Sequence, residues 1–308
     1  MADSSGEIQV VSRIAPTPSG FLHLGNAFNF LLTWLICKKQ KGKLLLRIDD
    51  LDQARVRPEY LEDIFRTIDW LGISIDEGPS GPEDHLSNYS QVYRFDLYEE
   101  AIQRIKGHLF PCAYSRKQIQ TASIDGQYPM AFREQATSWE DERVALRLRT
   151  PQSHIVSWTD QVMGEVEVSL FDSMRDFVVR KKDGVAAYQI ASLIDDLQLG
   201  VNCICRGADL LHSTAAQLYL ASLLQKEVFS QTQFYHHNLL TDDAGEKLSK
   251  SHASLSMHET DYSPQLRQRL FNNMLQKAGR TPGSIQNAEE LGNSLSLNEI
   301  IQIGAIPV

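Results

Sequence analysis

Residues 13–32 read RIAPTPSGFLHLGNAFNFLL. Pro16 and Pro18 stiffen a turn, Gly20 and Gly25 keep parts of it free of side chains, and a helical repeat follows at once. Phe28, Leu31, Leu32 and Leu35 recur at i, i+3, i+4 and i+7, the spacing of one helix face. The preceding EIQVVSRIA reads as a buried strand. A strand delivered into a helix through so stiff a turn restricts the fold strongly, because it begins a strand–helix–strand crossover. The helix start leaves backbone N–H groups unpaired and carries partial positive charge, so the turn is also a candidate anion site. His23 and Asn26 stand at that entrance, where both can donate hydrogen bonds to phosphate or ribose oxygens. A Pro-Ser-Gly corner before a helix also occurs as plain architecture, and this stretch alone does not separate the two readings.

The rest of the chain extends the crossover. Lys38, Lys39 and Lys41 crowd the end of the first helix and Gly42 stops it. KLLLRI is a second strand, followed by the acidic turn DDLD. Pro58 opens another helix, with Leu61, Ile64, Phe65, Ile68 and Leu71 on its apolar face and Gly72 at its close. Alternating strands and helices argue for a parallel sheet with right-handed crossovers. A further helix is expected from about Tyr89 to Gly107. Between roughly Phe110 and Asp176 the pattern changes to short strands at RVALRLRT, HIVSW and GEVEVSLF. FVVRKKDGVAAYQ reads as a hairpin turning at Asp183-Gly184, then YQIASLIDD as helix and VNCICR as a third core strand. Thr214 and Gln217 have capping-box spacing before a helix around Leu218 to Leu224. The tail past Gly279 is polar and weakly patterned, with TPGSIQNAEELGNS read as a mobile segment.

Composition narrows the class. A chain of 308 residues suits two domains, or one large domain carrying an insertion. A 42% hydrophobic and 22% charged content is that of an ordinary water-soluble protein. The net charge of −9 argues against a general nucleic-acid binder, so any RNA contact needs a local basic patch and should weaken with salt. MADSSGEIQV lacks the regions of a signal peptide, and FNFLLTWLIC is too short to span a bilayer. The cysteines (Cys37, Cys112, Cys203, Cys205) have no framework spacing, which fits a reducing, cytoplasmic setting. Cys203 and Cys205 share one strand face and read as core thiols; His236-His237 reads as surface or loop.

A second signal lies far downstream, in GEKLSKSHAS. Lys247 and Lys250, with Ser249 and Ser251, can wrap a triphosphate from a flexible loop. Taken with HLGN, KLSKS resembles the second of the paired HIGH and KMSKS signatures of class I aminoacyl-tRNA synthetases. RIAPTPSGFLHLGN is similar to the glutamyl branch, whose usual form is Arg-x-Ala-Pro-Ser-Pro-Thr-Gly-x-Leu-His-x-Gly. The resemblance continues through LLRIDDLD, AYQIASLIDD and CRGADLLHSTAAQ, so it spans Arg13 to Ser254.

The resemblance implies an α/β fold: a Rossmann-like parallel-sheet catalytic domain with an inserted α+β connective subdomain and a short helical C-terminal region. Residues 1–108 and 177–254 would form the two halves of the catalytic domain, 109–176 the insertion, and 255–308 a helical segment with a mobile tail. It implies His23, Asn26, Lys247 and Lys250 as catalytic groups, with His23, Gly25, Asn26 and Lys250 on ATP. It assigns Arg13, Ala15, Thr17, Asp49, Tyr188 and Arg206 to glutamate, whose carboxylates call for guanidinium groups. Arg13 and Arg206 follow apparent core strands, so both can point into the crevice at the strand ends. Thr17 keeps the hydroxyl of the usual Ser, whereas Asp49 replaces the usual Glu with a carboxylate about 1.5 Å shorter.

Too few residues follow KLSKS for a long anticodon-binding domain, and RGADLL departs from the RGEDH of full-length enzymes. Both features resemble the stand-alone branch that attaches glutamate to the queuosine base in the anticodon of tRNA(Asp). The expected activity is therefore ATP-dependent formation of glutamyl-adenylate, with Mg²⁺ accompanying ATP, and transfer to that base by a cytoplasmic monomer. The alternatives are a shortened ligase charging a tRNA 3′ end, and a non-catalytic module that binds amino acid or adenylate. The insertion of that branch usually holds zinc through Cys-x-Cys and Tyr-x₃-Cys. Here CAYS and YPMAF keep Cys112 and Tyr128 but place Tyr114 and Phe132 at the remaining positions, too few ligands for structural zinc. No metal site is expected; packing among Phe110, Tyr114, Tyr128 and Phe132 would hold the insertion instead.

Overall fold

The computed structural model describes residues 9–134, 138–139, 143–239, 256–259 and 261–305. Strand β1 (Val11–Ile14) runs into the Pro/Gly turn, helix α1 (Leu24–Lys39) follows, and strand β2 (Lys43–Leu46) lies parallel to β1. This is the crossover expected from the opening turn. Lys38 and Lys39 occupy the last turn of α1, where cations suit the negative end of a helix. Helix α2 (Pro58–Leu71) begins on Pro58 and ends at Gly72, whose φ of 67° is left-handed and favours glycine.

The other strands are β3 (Leu109–Cys112), β4 (Ala145–Leu148), β5 (Ile155–Asp160), β6 (Gly164–Ser169), β7 (Val178–Arg180), β8 (Cys203–Gly207) and β9 (Gln233–His237). A six-stranded sheet has the order β2-β1-β8-β9-β5-β6. Its neighbours are parallel except in the β5–β6 hairpin. The chain moves from β1 to β2 on one side and later returns to β8 on the other. That reversal opens a crevice at the carboxyl ends of β1 and β8.

Both sheet faces are covered, which explains why the strands read as continuous apolar runs. Ile14, Leu44, Leu46, Cys203, Cys205 and Tyr235 pack with α1, α2 and the helices Pro264–Lys277, Ala288–Ser294 and Leu297–Ala305. Leu45, Ile204 and Phe234 pack with the helices Phe95–Arg104, Tyr188–Gln198 and Leu211–Leu223. Alternate residues of one strand thus serve opposite layers.

The segment 109–176 does not fold as one separate sheet. β3, β4 and β7 form a three-stranded sheet, but β5 and β6 extend the main one. Alternation in IVSWTD (Val156, Trp158 and Asp160 buried) fits a hairpin edge with one face covered. Beside β3, Phe110, Cys112 and Tyr128 form a small core, flanked by Tyr114, Ile119 and Phe132. Tyr114 and Phe132 stack with centroids 3.8 Å apart, and the Tyr128 hydroxyl donates to Cys112 Sγ at 3.3 Å. Such a stacked pair is worth roughly 0.5–1.5 kcal/mol beyond the area it buries.

Other local expectations shift. The helix foreseen from Tyr89 breaks at Ser90, whose hydroxyl donates to Asp50 at 2.6 Å and accepts from the Val92 amide; the α-helix starts at Phe95. The Asp183-Gly184 turn forms, with Lys181 N–H donating to Val185 and Gly184 at φ 85°. Thr214 and Gln217 lie inside the helix Leu211–Leu223 rather than capping it. The stretch expected to be mobile divides: residues 281–287 are coil and mostly exposed, whereas the helix from Ala288 is packed, and Ala288, Leu291, Leu295, Ile300 and Ile303 are buried in the α1 layer. Two short helices divide its apolar residues, so no single period crosses the stretch.

Candidate active site

His23 is the N-cap of α1, in extended conformation. Its Nδ1 accepts the Gly25 amide hydrogen at 3.1 Å, and its own backbone N–H donates to Asn26 Oδ1 at 2.9 Å. HLGN is therefore a capping box, with histidine and asparagine in reciprocal roles. An accepting Nδ1 places the imidazole proton on Nε2, and burial lowers the His23 pKa, so the neutral ring is the resident form. That leaves Nε2–H and the Asn26 amide hydrogens as donors; the cap itself takes the Gly25 amide, reducing the backbone anion site foreseen from sequence. A Cβ on Gly25 would lie 2.9 Å from the His23 ring, so this glycine lets the cap form.

A cleft of about 490 Å³ opens at the crevice above β1, β8 and β9. The structure brings Ala15, Thr17, His23, Gly25, Asn26, Tyr188 and Arg206 together around it. These residues come from the β1 turn, the start of α1, the start of the helix Tyr188–Gln198 and the end of β8. Arg206 is 3% exposed. Its Nη2 donates to Thr214 Oγ1 at 2.7 Å and to Gln217 Oε1 at 2.9 Å. Its Nε and Nη1 are buried and make no close hydrogen bond among the described residues, with the Tyr188 hydroxyl near enough to favour the charged guanidinium. Burial lowers the Arg206 pKa and Arg13 pushes the same way, while Tyr188 and Asp196 oppose them. A guanidinium with two unpaired donor sites and only neutral hydrogen-bond partners is built to receive an anion.

Arg13 and Asp49 stand behind the cleft wall rather than on it. Arg13 Nε donates to Asp196 at 2.9 Å. Arg47 donates to the same carboxylate at 2.7 Å and takes both oxygens of Asp49, at 2.6 and 3.1 Å. Both Asp49 oxygens thus accept from Arg47, and Asp49 is not among the residues that line the cleft. Burial raises the Asp49 pKa. Burial also works against the charge on Arg47, but Asp49, Asp196 and Asp195 outweigh it and raise the pKa. Removing one partner of such a buried pair costs about 3–5 kcal/mol, because the other charge is left behind. The cluster fixes β1, β2 and the helix Tyr188–Gln198 to one another beneath the cleft.

Sequence reasoning missed several members. Arg47, Asp195 and Asp196 were written in LLRIDD and LIDD as charges inside apolar runs, and buried charges need partners. Asn29 also lines the cleft, one helical turn after Asn26. His236 and His237 are buried in β9, not on a surface loop. Lys247 and Lys250 lie outside the described residues. On either side of their segment, however, the chain adjoins the cleft. Leu239 lines it, Ser256 pairs with His23, and Met257 N–H donates to Leu22 at 2.7 Å.

Parallel strands, a capped turn and a crevice at the chain reversal define a Rossmann-type nucleotide-binding core. The chain belongs to the class I tRNA synthetases of the glutamate and glutamine group, matching "tRNA synthetases class I (E and Q), catalytic domain" over residues 9–302. It is 38% identical over 262 residues to a Glutamyl-Q tRNA(Asp) synthetase from Nitratidesulfovibrio vulgaris, covering 80% of this chain and 79% of the relative. A Pseudomonas putida protein of the same name is 37% identical over 268 residues, covering 86% and 82%. Among solved structures, a glutamate tRNA ligase from Elizabethkingia meningosepticum superposes with a TM-score of 0.72 at 23% identity, over 95% of this chain and 66% of that one. That likeness establishes the fold; this chain spans about two thirds of the longer ligase.

Proposed function

We propose that the enzyme activates glutamate with ATP and transfers it to the queuosine base in the anticodon of tRNA(Asp). The observation that carries the reading is Arg206, buried at the cleft with Nε and Nη1 unpaired, beside a turn whose His23 and Asn26 keep free donors. Arg206 would take a substrate carboxylate, and Thr17 and Tyr188 would complete the amino-acid side of the cleft. Arg13 would add positive potential from behind, and Asp49 would act by holding Arg47.

In the first step an oxygen of the glutamate α-carboxylate attacks the α-phosphorus of ATP. A new O–P bond forms, the bond to the β-phosphate oxygen breaks, and pyrophosphate leaves with that electron pair. His23 Nε2–H, Asn26, Lys247 and Lys250 would stabilise charge on the phosphates; no protein nucleophile is required. Mg²⁺ enters as part of the MgATP substrate. In the second step a queuosine hydroxyl attacks the acyl carbon and AMP leaves, the hydroxyl proton passing to solvent or phosphate. Relatives named Glutamyl-Q tRNA(Asp) synthetase support this choice of acceptor. The reaction belongs in the cytoplasm, and a monomer suffices for it. Among the described residues no helix is long and apolar enough to cross a membrane.

Glutamate-dependent ATP–pyrophosphate exchange without tRNA tests the first step; no exchange ends the ligase reading. Labelled glutamate is then offered to tRNA(Asp) with and without queuosine and mapped by nuclease digestion. Label in the anticodon arm, dependent on queuosine, is expected. Label at the 3′ end would replace this reading with a conventional charging enzyme.

A further inference from the structure

A line of buried hydrogen bonds runs from Arg206 away from the cleft. Arg206 Nη2 lies 2.7 Å from Thr214 Oγ1, which lies 2.7 Å from His236 Nε2, and His236 Nδ1 lies 2.6 Å from Asp160 Oδ2. Thr214 and His236 are fully buried and Asp160 is 2% exposed. The direction of each bond follows from the chemistry. Arginine only donates, so Thr214 accepts from it. The hydroxyl has one hydrogen; its nearer acceptor is His236 Nε2, the other being the Leu210 carbonyl at 3.3 Å. His236 then carries its proton on Nδ1, which donates to the Asp160 carboxylate. The bonds all point one way, from a guanidinium to a carboxylate.

Arg206 has no carboxylate within ion-pair distance among the described residues; Asp196 acts on it across space, and Asp160 anchors the far end of its hydrogen-bond line at two removes. Asp160 is itself fixed, accepting from the backbone N–H groups of Val162 at 2.9 Å, Met163 at 3.0 Å and His236 at 3.2 Å. A direct carboxylate partner would neutralise Arg206 and compete with substrate. A relay through neutral groups orients the guanidinium and leaves Nε and Nη1 unclaimed.

We infer that Thr214, His236 and Asp160 are positioning residues for Arg206, and through it set the affinity of the cleft for the substrate carboxylate. This rests on the amino-acid role proposed above for Arg206. Asp160 belongs to β5, so the hairpin inserted in the chain supplies the far end of the line.

The test is ATP–pyrophosphate exchange with Thr214→Val, Thr214→Ser, His236→Asn and the Val/Asn double variant. Valine keeps the shape of threonine without its hydroxyl; asparagine reaches the Asp160 side but not the Thr214 side. Thr214→Val should raise KM for glutamate about tenfold while KM for ATP stays within about twofold, and Thr214→Ser should restore glutamate KM to within about threefold of the parent. His236→Asn should resemble Thr214→Val, and the double variant should be no worse than the weaker-binding single, because both cut one line. An unchanged glutamate KM in Thr214→Val, a parallel rise in both KM values, failure of serine to rescue, or multiplied effects in the double variant would overturn the inference. If His236→Asn does not fold, the Thr214 pair decides alone. A parent without glutamate-dependent exchange would overturn the functional reading and this inference together; an active parent with indifferent variants overturns only the inference.

Discussion

The Asp63 carboxylate accepts a hydrogen bond from the backbone N–H of Leu22 at 2.7 Å. Asp63 lies in α2 and Leu22 precedes the cap residue His23, so the second helix holds the turn that feeds the first. The Tyr262 hydroxyl donates to the same carboxylate, which ties in the chain that follows the KLSKS segment. Asp63→Ala removes both bonds from a site that is 3% exposed. It should cost about 1.5–3 kcal/mol, seen as a drop in Tm, and exchange activity should fall as well. An unchanged Tm would mean that the turn holds itself.

Arg206 should show itself through ligand stabilisation. Glutamate at about 100 times its Kd should stabilise the parent by about 2.7 kcal/mol in thermal unfolding. Arg206→Lys keeps the charge but loses the fork, and should abolish most of that shift while raising glutamate KM at least about tenfold. A shift equal to the parent's would place the carboxylate elsewhere in the cleft.

Stability should depend on pH through three histidines. Burial lowers the pKa of His23, His236 and His237 below the ordinary 6.5. Their neutral forms are favoured in the folded chain, so the unfolded chain binds more protons near and below pH 6.5. Stability is then fully present above about pH 6.5 and falls as pH drops through the folded values. Unfolding measured between pH 5 and 8 should show this slope. Asparagine is a good N-cap, so His23→Asn should keep the fold at pH 7, reduce the slope by one proton, and slow exchange by removing Nε2–H.

The β3 subdomain should be indifferent to chelators. Treatment with a strong zinc chelator should leave both Tm and exchange unchanged, and metal analysis should find zinc well below one per chain. Phe132→Ala should instead loosen it, removing the stack on Tyr114 and exposing the Phe110–Cys112–Tyr128 core to protease. A fall in Tm on chelation would return a metal to this subdomain.

Local rules made the α1 crossover, the Pro58 and Gly72 ends of α2 and the Asp183-Gly184 turn legible, because proline, glycine and a helical period act over a few residues. They failed where partners are distant. No pattern in IVSWTD announces that β5 will pair with β9 rather than remain with β3, since its alternation fits either sheet. Cleft residues were readable from His23, Asn26, Tyr188 and Arg206. The roles of Arg47, Asp160, Asp196 and Thr214 were not, because each is defined by a side chain far away in the sequence.

The packed tail bears on how the molecule is made. Leu35 and Trp34 of α1 lie against Gly292, and Ile300 and Ile303 complete the same layer. Asn238, just past β9, donates its backbone N–H to Gly304 at 2.8 Å. Synthesis proceeds from the amino end, so helix α1 waits with an apolar flank bare until residues 288–303, about 250 positions later, emerge. Nascent chains released early should therefore be the ones that chaperones retain and that aggregate, whatever the state of the residues that meet substrate.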